Sequence, residues 1–207
     1  MDRRCRRDSP RTTASSTAAS GGLAARSRPQ LPAWAAVFAQ AGLALELHAD
    51  LAPLQWGKLL LNLNNAVNAL SGLPLREQLM QRDYRVCMAA LIAEALAAMR
   101  AAGVTPQRLA PLPPDWLPAV LRLPTPIFRV LAARMLRIDA QARSSMADDL
   151  AAGRSTEVDA LNGEVLRLAR AHGVPAPVNQ RTIELVRTWP QRRQPMAGPA
   201  LRAALGV

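Results

Sequence analysis

Apolar positions recur with a helical period over most of the chain after residue 51. Pro and Gly interrupt this pattern, and Gly103 and Gly173 each follow an apolar periodic run, where a helix commonly ends. The helices predicted in this way span residues 54–70, 75–102, 115–121, 126–137, 144–151, 156–172 and 179–188. We therefore expect an all-α, helical bundle-like domain over residues 51–189.

The residues on either side of this domain carry less pattern. Residues 31–43 indicate a short helix, and 44–48 alternate like a strand that has no second strand to pair with, so 31–50 is interpreted as the remnant αβ end of an α/β domain. Residues 1–30 are rich in Ser, Thr, Ala, Arg and Gly without a period, which is typical of a disordered segment. Residues 190–207 have little pattern and are expected to form a tail.

The formal net charge of +11 invites a nucleic-acid-binding interpretation, because clustered basic residues release counterions from phosphates. The first thirty residues, however, hold seven arginines against Asp2 and Asp8, and the remaining arginines are spread over separate predicted helices. Lys58 is the only lysine in a chain that is also rich in Ala, Leu and Pro, as a GC-rich coding sequence would give. The charge therefore does not favour a nucleic-acid partner, although a basic helical binder remains a rival interpretation.

Cysteines and histidines are few. Cys5 and Cys87 form neither a disulfide framework nor a Cys-x-x-Cys pair, and two histidines are too few for a histidine metal cluster. The longest apolar run, 86–99, is interrupted by Glu94 and is too short to cross a bilayer. We expect a cytoplasmic protein with no metal site and no membrane partner.

Residues 55–72 (QWGKLLLNLNNAVNALSG) hold the most informative polar pattern. On a helix that advances about 100° per residue, Lys58, Asn62 and Asn65 fall within roughly 60° of one another. The opposite side is apolar, with Leu59, Leu60, Leu63, Val67 and Leu70. Asparagine is a poor residue for a helix interior, and a solvated face would more often use Glu, Arg or Lys. The pattern favours a binding face over a merely solvated one.

A second polar segment, residues 143–162 (RSSMADDLAAGRSTEVDALN), precedes and begins another predicted helix. Thr156 and Asp159 have the spacing of a capping box, which explains both without a ligand. Glu157 is not needed for that cap, although a carboxylate near a helix N-terminus is favoured by the helix dipole in any case. Its role is left open by the residues alone.

Together these segments resemble a known family. Lys-x-x-x-Asn after a tryptophan, followed by SSM-x-x-DL-x-x-GR-x-TE-x-D-x-LNG and then by HG-x-x-x-P-x-N, is similar to the C-terminal domain of ketopantoate reductase (2-dehydropantoate 2-reductase) over residues 31–189. The resemblance implies an all-α fold of the ketopantoate reductase and 6-phosphogluconate dehydrogenase C-terminal type. It also implies an oxidoreductase that uses NADPH to reduce 2-dehydropantoate, a 2-ketoacid, to pantoate in pantothenate biosynthesis.

The resemblance assigns catalytic roles to Lys58 and Glu157 and substrate contacts to Asn62 and Ser145. The family often has a second asparagine eight residues after the lysine, where this chain has alanine. Asn65 is the nearest amide on the same face, and we predict that it takes that place as a substrate-binding residue.

The nucleotide-binding half of the family is not recognisable in these residues, because no strand is followed by a Gly-x-Gly-x-x-Gly turn and a helix. The cofactor-binding residues are therefore unknown, and residues 31–50 are interpreted as the end of that nucleotide-binding domain. We expect the chain to supply the substrate side only, to be inactive alone and to form a homodimer. The rival interpretation is a non-catalytic helical dimerisation domain that kept the fold and lost the reaction.

Overall fold

The computed structural model describes residues 23–26, 31–43, 45–133 and 139–207, and the chain divides into two compact units, Met1–Leu51 and Ala52–Val207. In the first unit, strand β1 (Leu23–Arg26) pairs in parallel with strand β2 (Leu45–His48), and helix α1 (Leu31–Gln40) lies between them in the chain. Parallel strands need such a crossover connection, so the unit is a small βαβ arrangement.

This arrangement corrects the expectation of an unpaired strand. Leu23 aligns with Leu45 and Arg26 with His48, so β2 does have a partner. The partner lies inside the segment for which the sequence predicts no structure, because four residues of the type Leu-Ala-Ala-Arg are too few to show a period. The rest of the predicted disordered segment lies outside the described residues.

The second unit is helical throughout its described part, and the prediction of an all-α domain is confirmed there. A short 3₁₀ turn, Pro114–Trp116, precedes the sixth helix. The helices are α2 (Ala52–Asn62), α3 (Asn64–Ser71), α4 (Leu75–Met80), α5 (Arg82–Ala101), α6 (Leu117–Leu121), α7 (Thr125–Leu131), α8 (Ser145–Ala151), α9 (Val158–Ala171), α10 (Pro177–Arg187), α11 (Trp189–Arg192) and α12 (Gly198–Leu205). None of the helices in the described part of the chain is long and apolar enough to span a bilayer.

Helix α5 is the centre of this unit. Cys87, Ala89, Leu91, Ile92 and Met99 are all fully buried, because α5 packs against α3, α4, α6, α9, α10 and α12. A helix that is apolar on nearly all sides must be covered on all sides, and its alanines allow the neighbouring backbones to approach closely. The long apolar run seen in the sequence is therefore a core helix.

Two of the predicted helices are divided in the structure. The first breaks at Leu63, but Leu63 keeps helical dihedral angles (φ −57°, ψ −23°) and its N–H donates to the Leu59 carbonyl at 3.0 Å, so α3 continues the course of α2. The second breaks at Gln81, whose extended backbone (φ −93°, ψ 118°) separates α4 from α5. The predicted helix 126–137 is described as a helix only as far as Leu131, and 134–138 lie outside the described residues.

The expected tail is instead part of the domain. The Met196 N–H donates to the Leu70 carbonyl at 2.8 Å, and the Tyr84 hydroxyl donates to the Met196 carbonyl at 2.9 Å. Helix α12 then buries Leu201 completely against the core. The prediction of a tail was wrong because an eight-residue helix with only two leucines, four positions apart, is too short to show a period.

Candidate functional site

The helical face predicted from residues 55–72 exists. Lys58 is exposed, Asn62 and Asn65 are partly exposed, and the five apolar residues predicted for the opposite side are buried. Because α3 continues α2, Lys58 and Asn62 are one turn apart and Asn65 follows three residues later on the same side. The amides of Asn62 and Asn65 hydrogen-bond to no described residue, so their donors and acceptors are available to a ligand.

The other two asparagines of this segment have structural roles. Asn64 and Gln78 form a reciprocal pair of side-chain hydrogen bonds at 3.2 and 3.0 Å in the interior between α3 and α4. Asn68 is fully buried, and its Nδ2 donates to the Leu73 carbonyl at 2.8 Å. Buried polar partners thus account for Asn64 and Asn68, the two asparagines of this segment that were not assigned to the binding face.

Ser144, the residue immediately before Ser145, is bonded to α3. The Ser144 N–H donates to Asn68 Oδ1 at 2.9 Å, and Ser144 Oγ donates to the Asn65 carbonyl at 3.2 Å. The same hydroxyl accepts from the Ala147 N–H at 3.2 Å and so caps α8. Ser145 is the first residue of α8, is exposed and hydrogen-bonds to no described residue through its side chain, so its place in the site stays a prediction.

Glu157 lies exposed immediately before α9, and its backbone carbonyl accepts the Leu161 N–H at 3.0 Å. The capping box expected here is absent, because neither Thr156 nor Glu157 makes a side-chain cap and Asp159 pairs instead with Arg187 at 2.8 Å. Within the described residues, no hydrogen bond or ion pair joins Glu157 to Lys58. Its place in the same site stays a prediction.

The candidate site is an open polar face and not an enclosed cavity. A surface cavity of about 460 Å³ is lined by residues 150–154 with Trp189, Pro190 and Arg193. None of the five predicted site residues lines it. One of its two arginines, Arg154, is paired with Asp149 at 2.8 Å. The volume of this cavity therefore does not locate the candidate site. The site is assigned from the amides, hydroxyl and ammonium that are available to a ligand. Among the described residues, no group of His, Cys, Asp or Glu side chains has the arrangement of a metal site.

Comparison with known families gives a match over most of this unit. The model described as the ketopantoate reductase PanE/ApbA C-terminal domain matches residues 50–189. The chain belongs to this family. The resemblance deduced from the motifs is thereby confirmed, and the match ends before α12.

Individual proteins of this family are also similar to the chain. The 2-dehydropantoate 2-reductase of Caulobacter vibrioides is 32% identical over 158 residues, covering 76% of this chain and 48% of that protein. The crystal structure of a PanE/ApbA family ketopantoate reductase from Ralstonia eutropha JMP134 has a TM-score of 0.65 at 29% identity, covering 84% of this chain and 54% of that one. A dimeric ketopantoate reductase from Staphylococcus aureus shares the fold, with a TM-score of 0.61 at 17% identity over 83% of this chain and 55% of that one. The chain therefore spans about half the length of the relatives it matches.

Two asparagines of the family-like motifs, Asn162 and Asn179, are buried and hold helices together. Asn162 Nδ2 donates to Asn179 Oδ1 at 3.0 Å, and Asn179 Nδ2 donates to Glu94 Oε2 at 2.8 Å. The Glu94 carboxylate also accepts the backbone N–H groups of Val178 and Asn179 at 2.8 and 2.9 Å, which caps α10. Sequence reasoning missed this network, although a lone carboxylate inside an apolar helix such as α5 was a sign of it.

Proposed function

We propose that this chain supplies the substrate-binding and proton-donating side of the NADPH-dependent reduction of 2-dehydropantoate to pantoate. The observation that carries the proposal is the continuous face on which Lys58, Asn62 and Asn65 lie, and Ser144, the residue before Ser145, is bonded to the Asn65 carbonyl. An ammonium, two free amides and a free hydroxyl match a small acid that bears a ketone, a carboxylate and a hydroxyl. Membership of the ketopantoate reductase family supports this substrate class.

Lys58 is proposed as the proton donor. A nicotinamide cofactor, when bound, would supply the hydride, and reduction of a ketone in this way would leave negative charge on its oxygen. The Lys58 ammonium on the exposed face of α2 can stabilise that charge and give the oxygen its proton. Because Lys58 has no ion-pair partner among the described residues, its charge is available to the substrate.

The neighbouring side chains are proposed to orient the substrate. The amides of Asn62 and Asn65 and the hydroxyl of Ser145 can donate to carboxylate and hydroxyl oxygens. Glu157 can accept a hydrogen bond from the substrate hydroxyl. Asn65 takes the place of the second asparagine that the family often carries eight residues after the lysine.

The described residues do not fit the cofactor. They contain no glycine-rich turn between a strand and a helix that could hold a pyrophosphate, so none of them is assigned to NADPH. We propose that NADPH is bound outside these residues and that the 207-residue polypeptide alone does not turn over substrate. Turnover by this polypeptide with NADPH would contradict that part of the proposal.

Calorimetric titration of the chain with 2-dehydropantoate and with pantoate tests the proposal directly. Lys58→Ala should weaken binding by about tenfold or more, the usual loss for a hydrogen bond to a charged group, while alanine preserves the helix. Arg129→Ala is the matched control, since Arg129 is also an exposed cation on a helix, α7, but is not part of the proposed site. Equal effects of the two substitutions, or no binding by the unmodified chain, would overturn the proposal.

The second candidate function is a non-catalytic dimerisation domain. It is favoured by α7, which exposes Ile127, Val130 and Leu131 at 50%, 74% and 58% of their surfaces. An apolar helical face of this kind commonly meets a second copy of the same chain. A chain that sediments as a dimer, loses dimerisation on Val130→Glu and binds neither acid would support this candidate instead.

A further inference from the structure

Asn68 links α3, the helix that carries Asn65, to the residue before Ser145, and it is not part of the exposed face of Lys58, Asn62 and Asn65. It lies on α3, three residues after Asn65, and its side chain is fully buried. Its Oδ1 accepts the Ser144 N–H at 2.9 Å, and its Nδ2 donates to the Leu73 carbonyl at 2.8 Å. The Ser144 N–H can bond only to the amide oxygen, and the Leu73 carbonyl can bond only to the amide N–H. These two partners therefore fix the orientation of the Asn68 amide.

The bond to Ser144 holds the start of α8 against α3. Ser144 is the residue immediately before Ser145, and a second bond, from Ser144 Oγ to the Asn65 carbonyl at 3.2 Å, joins the same two helices. The loop before it is held at the start of α4, where the Leu75 N–H donates to the Ala142 carbonyl at 2.8 Å. The backbone just before Ser145 is thus held by two bonds to α3, the helix that carries Asn65, and by one bond to α4.

We infer that Asn68 is a positioning residue, which places the Ser145 hydroxyl at the distance from Asn62 and Asn65 that the substrate requires. This inference rests on the proposed function. Asn68 does not touch the substrate and acts through the backbone of Ser144. Substrate sites depend on such support, because a displacement of their side chains by about 1 Å can reduce the reaction rate by about a hundredfold.

A double-mutant cycle on the full chain tests the inference, with the dissociation constant for 2-dehydropantoate as the readout. Asn68→Leu keeps the number of heavy atoms and their branching but removes both hydrogen bonds, and it should weaken binding by about tenfold or more. In the Ser145→Ala background the same substitution should weaken binding by less than about twofold, because the hydroxyl that Asn68 positions is already gone. Additive effects of the two substitutions would overturn the inference.

Asn64→Leu is the matched control for a purely structural effect. Asn64 is a buried asparagine on the same helix with two side-chain bonds, but both of them go to Gln78 on α4 and not to α8. Both leucine variants should lower the melting temperature, whereas only Asn68→Leu should weaken binding. Equal weakening by Asn64→Leu would show that loss of stability alone accounts for the effect.

The remaining outcomes are also decisive. If Asn68→Leu does not fold, Asn68→Ser replaces it in the cycle, because serine loses the bonds to Ser144 and Leu73 without adding an apolar side chain. If neither variant folds while Asn64→Leu does, Asn68 is required for the fold and the positioning role is rejected. If the unmodified chain does not bind 2-dehydropantoate, the proposed function falls together with the inference, whereas additivity in a chain that binds removes the inference alone.

Discussion

Arg85 is a fully buried cation that forms no ion pair with any described residue. Its guanidinium donates to the carbonyls of Leu79, Leu121 and Leu123 at 3.1 Å or less, and it lies 4.2 Å from the centroid of the Phe128 ring. Burial, with a smaller contribution from the nearby Arg82, lowers the pKa of this guanidinium. Carbonyl groups at the C-terminal ends of α4 and α6 thus take the place of a carboxylate.

Replacing Arg85 by methionine should lower the free energy of unfolding by about 3 kcal/mol or more, because it leaves buried carbonyls without partners. Arg85→Lys should also be destabilising, since an ammonium cannot reproduce the geometry of the planar fork. Urea denaturation followed by circular dichroism measures both effects. Arg82→Met is the control, because Arg82 is exposed and, among the described residues, bonds only to the Arg122 carbonyl, and it should cost less than about 1 kcal/mol.

Cys87 gives the stability of the protein a dependence on alkaline pH. Burial in the core raises the pKa of its thiol to about 12, with a smaller opposing effect of Arg202 and a further small rise from Asp83. In the unfolded chain the thiol ionises near pH 8.5. The folded state therefore binds the proton more tightly, and its contribution to stability is complete below that pH and is lost as the pH rises toward 12.

Unfolding experiments between pH 8 and pH 11 should show this loss. The free energy of unfolding should fall with increasing pH, and Cys87→Ala should flatten the part of the slope that the thiol causes. Tyr84, whose pKa is also raised, mainly by burial, contributes a loss of the same sign in both proteins. A slope that is identical with and without Cys87 would contradict the assignment.

At the scale of helices and strands, the predictions were best where the apolar pattern repeats over many residues. The segment that became α5 was found because twenty residues repeat the pattern many times, and the face of Lys58, Asn62 and Asn65 was found because it opposes a leucine-rich side. Short elements were missed, since β1 and α12 repeat their patterns once or twice at most. Partners distant in the chain, such as Asn68 with Ser144, leave no local pattern at all.

An experiment on α12 can test whether residues 190–207 form part of the core or a tail. If it belongs to the core, Leu201→Ala should lower the free energy of unfolding by about 2 to 5 kcal/mol, the range for a buried leucine. If residues 190–207 were a tail, the substitution would have no effect. Leu131→Ala is the control, because Leu131 is 58% exposed and its truncation should change stability by less than about 0.5 kcal/mol. Thermal and urea unfolding of the two variants measure the difference.

At the scale of the whole molecule, composition and charge predicted little of the function. The net charge of +11 invited a nucleic-acid interpretation that the spread of the arginines did not favour, and several arginines that the structure describes are in local pairs, such as Arg167 with Glu164 and Arg181 with Glu184. The motifs led to the family because they combine ligand-binding candidates with residues of the buried network, such as Asn162 and Asn179. Physical reasoning from sequence alone could not separate the two kinds of residue, since burial depends on how the helices pack.

The division of the chain near residue 51 allows one prediction about the molecule as a whole. The second unit has its own core around α5, and the first unit exposes Trp34, Val37 and Leu43 at 57%, 56% and 51% of their surfaces. Exposed apolar side chains promote association, so a chain without residues 1–50 should be more soluble while its helices remain folded. Light scattering and circular dichroism of the shortened and full chains measure this. Loss of the helical signal in the shortened chain would mean that the βαβ unit supports the fold, and that the boundary of the helical domain lies before residue 51.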